Sequence, residues 1–232
     1  MDRVLLIDKD KDWTSFDVVA RVRSLVRAVV AADTLKGEKP KKIKVGHAGT
    51  LDPLATGLLI VLIGAATKRQ DEFMKQDKEY EVEALLGEVS TTGDAEGEKT
   101  HISSDKPSSE DINRVLKQFT GTLQQVPPQY SAIKINGKRA YALARAGKQV
   151  KLEPRTVIIH SISDITYAYP KLRFKAVVSS GTYIRSLVSD IGDTLGTGAY
   201  MSNLRRTKIG SYRIDDAIKV QEVERHLLQT DD

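Results

Sequence analysis

Hydrophobic and polar residues recur along this chain with two different periods, which predicts a mixture of strands and helices. Apolar residues run together at 4–7 and 58–63, as is typical of short strands buried on both faces. Residues 80–86 alternate between apolar and charged side chains, which predicts a half-buried strand. Residues 157–165 and 172–178 are two further candidate strands.

Three segments carry the start signals and the apolar spacing of amphipathic helices. Thr14 and Asp17 have the spacing of a capping box, and so do Ser108 and Asp111. A third helix is predicted to begin at Thr182. In each segment the apolar residues that follow recur at intervals of three and four, so one face of each helix is expected to be buried.

The remaining segments predict turns and loops. Residues 91–104 are polar and loop-like, and Asn136-Gly137 is a strong signal for a tight turn. Strands and helices do not alternate regularly, so we expect an α+β fold built around one sheet. We expect a single domain over residues 1–232.

Composition narrows the class of protein. The chain has 232 residues, of which 40% are hydrophobic and 29% are charged, as in ordinary globular proteins. It has no cysteine, which excludes disulfides and thiolate chemistry, and its four histidines show no metal-ligand spacing. We therefore expect no metal. The apolar runs are too short for a signal peptide or a membrane span, and we expect a cytoplasmic protein.

A local excess of positive charge adds to a formal net charge of +5. Such a run is either a solvated loop or a contact for a polyanion. The run ends just before a glycine-rich segment, and this position favours the interpretation as a polyanion contact. Its lysines are Lys36, Lys39, Lys41, Lys42 and Lys44, opposed only by Glu38.

The glycine-rich segment, residues 46–57, reads G-H-A-G-T-L-D-P-L-A-T-G. Its small residues allow another backbone to approach closely. Pro53 biases Asp52 towards an extended conformation, so we expect Asp52 on a stiff turn that leads into the strand at 58–63. A carboxylate held in this way is a candidate nucleophile. An isolated Asp-Pro pair, however, is also common turn chemistry.

This segment resembles the signature G-H-x-G-x-L-D-P-x-A-x-G of the TruB family of tRNA pseudouridine synthases. Five further motifs of that family follow in the family's order, which makes the resemblance highly specific. They are G-A-A-T-K at 64–68, K-E-Y at 78–80, Q-V-P-P-Q-Y-S-A-I-K at 125–134, G-T-Y-I-R at 181–185 and L-R-R at 204–206.

The chain departs from the family pattern in two motifs. The family's K-P-x-G-x-[ST]-S is here K-D-K-D-W-T-S at 9–15, and the first Asp of T-D-T-x-D-x-x-G is Thr91, although Asp94 is retained. Residues 209–232, which come soon after L-R-R, are too few for a C-terminal PUA domain, the small RNA-binding module that bacterial members usually carry, so we expect none.

The resemblance implies a fold, a chemistry and a nucleophile. The fold is a mixed, mainly antiparallel sheet flanked by helices, with an active-site cleft. Asp52 is the implied nucleophile, and its attack on the sugar C1′ or on the base C6 stays open. No cofactor is implied.

The resemblance also implies several substrate-binding residues. Tyr80 would stack on the uracil and help to remove its C5 proton, whereas periodicity alone favours a core aromatic. Arg185 would pair with Asp52, although it lies off the apolar stripe of its helix, where an arginine is usually exposed. Tyr183 and Leu204 would line the site of the base, and Asp94 would be a further site residue. His47 would occupy the space that a flipped base leaves in the T loop. Lys68 and the lysines at 36–44 would contact phosphates.

The resemblance therefore implies an enzyme that isomerises uridine 55 in the T loop of tRNA, with the tRNA T arm as partner and the protein as a monomer. A relative that modifies other RNAs in a guide complex is an alternative. A non-catalytic RNA-binding module or tRNA-folding chaperone is another, but it would not need Asp52 and Arg185. A hydrolase or metal enzyme is disfavoured, because no phosphate-binding loop or ligand spacing is present.

Overall fold

The computed structural model describes residues 1–32, 34, 41–131, 133–135, 137–146 and 151–228. Its strands are β1 Arg3–Lys9, β2 Val45–Ala48, β3 Thr56–Ile63, β4 Lys78–Leu86, β5 Glu88–Ser90, β6 Lys99–His101, β7 Gly121–Gln125, β8 Lys134–Ile135, β9 Lys138–Arg139, β10 Arg155–Ala168, β11 Lys171–Val178, β12 Ala199–Ile209, β13 Tyr212–Arg213 and β14 Ile218–Lys219. Its α-helices are α1 Ser15–Ala32, α2 Gln70–Met74, α3 Ser109–Gln118, α4 Ala140–Arg145, α5 Ile184–Thr194 and α6 Val223–Leu228, and short 3₁₀ helices cover Gly64–Arg69, Ile214–Asp216 and Val220–Glu222.

The backbone divides into two compact units. Unit 1 combines Met1–Lys78 with Arg205–Asp232, and unit 2 is Glu79–Leu204. The chain enters and leaves unit 2 through β4 and β12, so residues 199–204 of β12 belong to unit 2 and residues 205–209 belong to unit 1. Each unit contains a sheet and helices, which agrees with the expected α+β class.

The sheet of unit 1 is centred on β3. This strand pairs antiparallel with β1 and β2, and it pairs parallel with β12 through the residue pairs Arg205–Thr56 and Arg206–Gly57. β14 adds in parallel to the outer edge of β1. Every residue of β3 after Thr56 is buried, which explains why its sequence is a continuous apolar run.

The core of unit 1 lies against this sheet. Helix α1 packs against β2 and α6, and the predicted capping box is present, since Thr14 Oγ1 accepts the Asp17 N–H at 3.0 Å while Asp17 accepts from the Thr14 N–H at 2.9 Å. A separate cluster packs around Phe73 of α2. Its buried members are Ala48, Leu58, Ile60, Leu62, Phe73 and Ile209.

The sheet of unit 2 has the strand order β12-β4-β11-β10-β7. β10 pairs antiparallel with both of its neighbours, β11 and β7. Along β4, Tyr80, Val82, Ala84 and Leu86 are all buried, so the alternation in the sequence correctly predicted one core face. Helix α3 has the predicted Ser108–Asp111 capping box and contacts both α5 and β10.

Two parts of the sequence prediction for unit 2 need correction or completion. Residues 91–104, predicted as a loop, contain β6, which pairs with β5 in a two-stranded ribbon. All three residues of β6 are exposed, so no apolar alternation marked the strand. The Asn136-Gly137 turn joins β8 to β9, and Gly137 has φ +81°, as a tight turn requires, while Asn136 lies outside the described residues.

None of the helices in the described part of the chain combines the length and the hydrophobicity that a bilayer crossing requires.

An ion-pair network ties the C-terminal segment of unit 1 to β1. Arg205 donates to both carboxylate oxygens of Asp8, each at 3.1 Å. Lys219 of β14 lies 2.9 Å from Asp8 and 2.7 Å from Asp10. Burial raises the pKa of Asp8, but hydrogen bonds from Arg205 and Lys219 outweigh it and hold the pKa below its usual value of 3.8.

We expect Asp8→Asn to lower the free energy of unfolding by about 2 kcal/mol at pH 7, because charge-assisted hydrogen bonds to two cations are lost. Since the folded pKa of Asp8 is depressed, this contribution is complete above the ordinary pKa of 3.8 and is lost as the pH falls below it. Urea unfolding at a series of pH values measures the difference between the wild type and the variant.

Asp10→Asn is the matched control. Asp10 shares Lys219, but its side chain is 41% exposed against 13% for Asp8, so its loss should cost less than about 1 kcal/mol. Equal losses in the two variants, or an Asp8 contribution that stays constant down to pH 3, would contradict this account.

Candidate active site

Asp52 lies in a turn between β2 and β3 of unit 1. The Asp52 carbonyl accepts the Ala55 N–H at 3.1 Å, which closes a four-residue turn with Pro53 at its second position. Leu51 and Leu54 are buried on either side, whereas Asp52 itself is half-buried. The sequence therefore correctly predicted a stiff turn that leads into β3.

Two buried polar side chains near the N-terminus hold this turn from one side. Ser15 accepts the Leu51 N–H at 2.8 Å and donates to the Leu51 carbonyl at 3.0 Å. Lys9 has no exposed surface, and its Nζ donates to the Trp13 carbonyl at 2.6 Å and to the Pro53 carbonyl at 3.4 Å. The residues on both sides of Asp52 are therefore fixed by side chains from β1 and α1.

A third buried side chain, Arg206 of β12, holds the ends of the same segment. Its guanidinium donates to the carbonyls of Gly49, Thr50 and Leu58 at 3.1, 3.4 and 2.8 Å. Gly57 lies against the Arg206 backbone with φ +98°, and a Cβ there would come within 2.3 Å of the Arg206 carbonyl oxygen. Only glycine fits this position, because both the space and the dihedral angle exclude a side chain.

Two buried cations therefore surround the turn that carries Asp52. Burial lowers the pKa of Lys9 to about 8, the negative charge of Asp52 opposes that shift, and the positive charge of Arg206 adds to it. Lys9 is thus largely protonated at neutral pH and bonded to backbone carbonyls. The turn therefore combines the half-buried Asp52 with two buried cations that are bonded to the backbone of its segment.

His47, on β2, is half-buried in the same unit. Burial, and then the charge of Arg206, lowers the pKa of His47, which favours the neutral ring at neutral pH. Its backbone carbonyl accepts from the Gln70 side chain at 2.9 Å, and its Nδ1 is buried without a hydrogen-bond partner in the described part of the chain. Lys68 lies on the neighbouring 3₁₀ helix and is exposed.

In unit 2, Arg185 and Asp94 form a buried ion pair with an N–O distance of 3.6 Å. Arg185 also donates to the carbonyls of Thr92 and Tyr130 at 3.0 and 2.8 Å. The pattern of α5 predicted an exposed arginine, but the side chain is only 7% exposed because these partners replace water. Asp94 is held in turn by the Thr92 hydroxyl at 2.5 Å.

Tyr183 immediately precedes α5 and is fixed through its backbone. The Gln125 side chain accepts the Tyr183 N–H at 2.8 Å and donates to the Tyr183 carbonyl at 3.0 Å. Tyr80 of β4 is 8% exposed, and Leu204 of β12 is 7% exposed. The expectation that Tyr80 lies on the apolar face of β4 is confirmed.

The structure places the predicted site residues in two groups. Unit 1 contains Asp52, His47 and Lys68, and unit 2 contains Tyr80, Asp94, Tyr183, Arg185 and Leu204. Within unit 2 it brings Arg185 and Asp94 together, and the pairing of Arg185 with Asp52 stays a prediction. Lys36 and Lys39 lie outside the described residues. Among the described residues, no three His, Asp or Glu side chains are grouped so that they could hold a metal ion.

Sequence reasoning missed the residues that support the predicted ones. Lys9, Ser15 and Arg206 are all at most 1% exposed and all bind the backbone of the Asp52 segment. Each lies within a motif of the resemblance, but a lysine or an arginine is seldom fully buried. Gln125 plays the same supporting part in unit 2, because its side chain binds the backbone of Tyr183.

We expect Ser15→Ala to lower the free energy of unfolding by about 1–3 kcal/mol, because the buried Leu51 N–H loses its acceptor. Amide hydrogen exchange at Leu51 should become faster. The adjacent variant Thr14→Ala removes the cap of the same helix, at a cost of about 1 kcal/mol, without touching Leu51. If Leu51 exchanged equally fast in both variants, the effect would belong to the helix rather than to the turn.

Comparisons with known proteins agree with this architecture. The model of the TruB family pseudouridylate synthase N-terminal domain matches residues 36–184, and the model of the tRNA pseudouridylate synthase B C-terminal domain matches residues 185–232. The tRNA pseudouridine synthase B of Parabacteroides distasonis is 44% identical over 97% of this chain and 93% of the relative. That of Flavobacterium johnsoniae is 43% identical over 97% of this chain and 96% of the relative.

Solved structures show a similar fold. A chain in the crystal structure of a Cbf5-Nop10-Gar1 complex aligns with a TM-score of 0.71 and 28% identity, over 97% of this chain and 54% of that chain. A chain in the structure of an H/ACA RNP bound to a substrate RNA containing 2′-deoxyuridine aligns with a TM-score of 0.67 and 26% identity, over 97% of this chain and 53% of that chain. This chain thus spans about half the length of both. From the family models and the relatives together, this chain belongs to the TruB family of pseudouridylate synthases.

Proposed function

We propose that this chain converts uridine 55 in the T loop of tRNA to pseudouridine, with Asp52 as the nucleophile. The single observation that carries the proposal is the similarity, over nearly the whole of both chains, to proteins named tRNA pseudouridine synthase B. The rigid turn that holds Asp52 over two buried cations supports it.

The reaction is an isomerisation. The bond between the uracil N1 and the ribose C1′ breaks, the base rotates, and a new bond forms between C5 and C1′. C5 then loses a proton and N1 gains one, so atoms and electrons balance without an oxidant or a reductant. The protein has to supply a nucleophile, a surface that holds the detached base, and an acceptor for the C5 proton.

Asp52 is proposed as the nucleophile because the family signature places its aspartate there and because its neighbours along the chain are fixed while Asp52 is only half-buried. Ser15 and Lys9 bind the residues before and after it. A nucleophile held on a rigid backbone avoids the cost of positioning it at the moment of reaction. Attack on C1′ and attack on C6 are both compatible with this role.

The side chains of unit 2 are proposed to hold the base. Tyr80 is proposed to stack on the uracil and to help remove the C5 proton, and Tyr183 and Leu204 are proposed to line the base site. Arg185 serves as the cationic partner of the catalytic carboxylate, and Asp94 positions Arg185 through their ion pair.

The target base has to leave the stacked T loop before it reacts. Flipping costs a few kcal/mol, and stacking on Tyr80, at about 1–3 kcal/mol per base, offsets much of it. His47 is proposed to occupy the space that the base leaves, for which a neutral, half-buried ring is suited. Lys68 is proposed to contact phosphates, which contributes affinity without sequence selectivity.

We expect Asp52→Asn to abolish pseudouridine formation while leaving the affinity for tRNA nearly unchanged, because the amide keeps the shape but is not a nucleophile. Single-turnover assays and filter binding measure the two quantities. Asp71→Asn, at an exposed position in α2 of the same unit, is the control and should retain full activity. Full activity of Asp52→Asn would refute the mechanism.

We expect incubation with an unmodified tRNA transcript to yield one pseudouridine, at position 55, when the product is mapped at single-nucleotide resolution. Product at another position would refute the proposed specificity. Binding without product would favour a tRNA-folding chaperone or a guide-dependent enzyme that acts on another RNA.

A further inference from the structure

A second surface of unit 1 carries concentrated positive charge in a concave shape. A groove with a volume of about 400 Å³ lies between the C-terminal half of α1, the segment that leads into β2, and the 3₁₀ helix that follows β3. Its lining residues are Arg23, Arg27, Lys42, Ile43, Lys44, Val45, Gly46 and Thr67.

The charge of the groove has one sign. Four of its lining residues are cations, and none of the lining residues in the described part of the chain is a carboxylate. Arg27, Lys42 and Lys44 are exposed. Most of the accessible lining of the groove is apolar, and the cationic side chains around it attract ligands of negative charge.

The two arginines come from one face of α1, since residues four apart lie on the same side of a helix. Arg23 is already oriented, because its Nη2 donates to the Val45 carbonyl at 3.3 Å. Its guanidinium also lies 5.9 Å from the ring centroid of Phe16, a side chain that is 65% exposed. This wall of the groove therefore holds a positioned cation next to an exposed aromatic ring, a combination typical of nucleic-acid-binding surfaces.

The groove adjoins the candidate active site along the chain. Its lining ends at Gly46, where an added Cβ would have no neighbour within 4 Å, so the space above this backbone is open. The next residue is His47, for which we proposed a place inside the T loop. The groove and His47 are therefore contiguous along β2.

We propose that this groove binds consecutive backbone phosphates of the substrate RNA, next to the nucleotide that is flipped, with Arg23 and Arg27 of α1 as phosphate ligands. The inference rests on the proposed function and adds helix α1 to the phosphate contacts, for which the sequence had named Lys68 and the lysines at 36–44. Guanidinium groups bind phosphate oxygens through paired hydrogen bonds, and lysines add point charges.

The test compares two arginines on the same helix. Arg27 lines the groove, whereas Arg21 does not and lies about 120° away around the helix axis. Both are exposed, and glutamine has a helix propensity close to that of arginine, so Arg27→Gln and Arg21→Gln should both fold and lose the same charge. Thermal unfolding of each variant checks this point.

The affinity of each variant for a tRNA transcript is measured over a range of salt concentrations. Loss of one phosphate contact should reduce the slope of log K against log salt by about 1 and weaken binding about tenfold near ~0.1 M salt. We expect this result for Arg27→Gln and a larger one for the double variant Arg23→Gln/Arg27→Gln, with Arg21→Gln close to the wild type. Equal losses for Arg27→Gln and Arg21→Gln, or no loss for either, would overturn the proposal.

Neutral methylphosphonate linkages at single positions of the transcript locate the contact. The linkage that faces Arg27 should weaken wild-type binding but have little further effect on Arg27→Gln, because a double-mutant cycle is non-additive for groups in contact. Additivity at every position would refute a direct contact.

If the wild type isomerised uridine 55 normally while the arginine variants kept their affinity, the groove proposal alone would fail. A wild type that bound tRNA through Arg27 without isomerising it would overturn the proposed function alone, and a wild type that did not bind tRNA would overturn both proposals.

Discussion

The arrangement of unit 1 depends on the hydrogen bonds from one buried guanidinium to backbone carbonyls. Arg206 is 1% exposed, and an arginine removed from water without partners would cost several kcal/mol. The carbonyls of Gly49, Thr50 and Leu58 replace the lost water and fix both ends of the Asp52 segment relative to β12. Because Gly57 lies directly against the Arg206 backbone, the start of β3 is fixed by its contact with β12. The position of the proposed nucleophile thus follows from a packing constraint on a neighbouring strand.

The same principle recurs in both units: a buried polar side chain fixes the backbone beside a side chain proposed for chemistry. Ser15 binds Leu51, the residue before Asp52, through both of its backbone groups. Gln125 does the same for Tyr183. Such paired bonds restrict the backbone without occupying the proposed reactive side chain, so rigidity and accessibility are compatible. Supporting residues of this kind hold the backbone beside a proposed reactive group in one arrangement.

Positive charge serves two separate purposes in unit 1. Buried cations such as Lys9 and Arg206 bind carbonyl groups and organise the turn. Exposed cations such as Arg27 and Lys42 line the groove beside β2, where the field extends into solvent. A formal net charge of +5 does not distinguish these two roles, because it counts a buried structural lysine and an exposed lysine equally. Burial and neighbouring groups separate them.

The sequence by itself determined the α+β class, the strands β1, β3, β4, β10 and β11, the helices α1, α3 and α5, the capping boxes of α1 and α3, and the stiff turn at Asp52. Local periodicity, capping and Asp-Pro chemistry act between near neighbours, so these features can be predicted from the sequence. It missed strand β6, whose residues are all exposed. It also missed β12, because an arginine in a sequence is typical of a surface position, whereas Arg206 is buried. Only the tertiary structure decided that Arg206 reaches Gly49, that Arg185 is buried beside Asp94, and that α1 and residues 42–46 share a groove. These contacts join residues far apart in the chain, and the free energy of burying a charge depends on partners that only folding brings together.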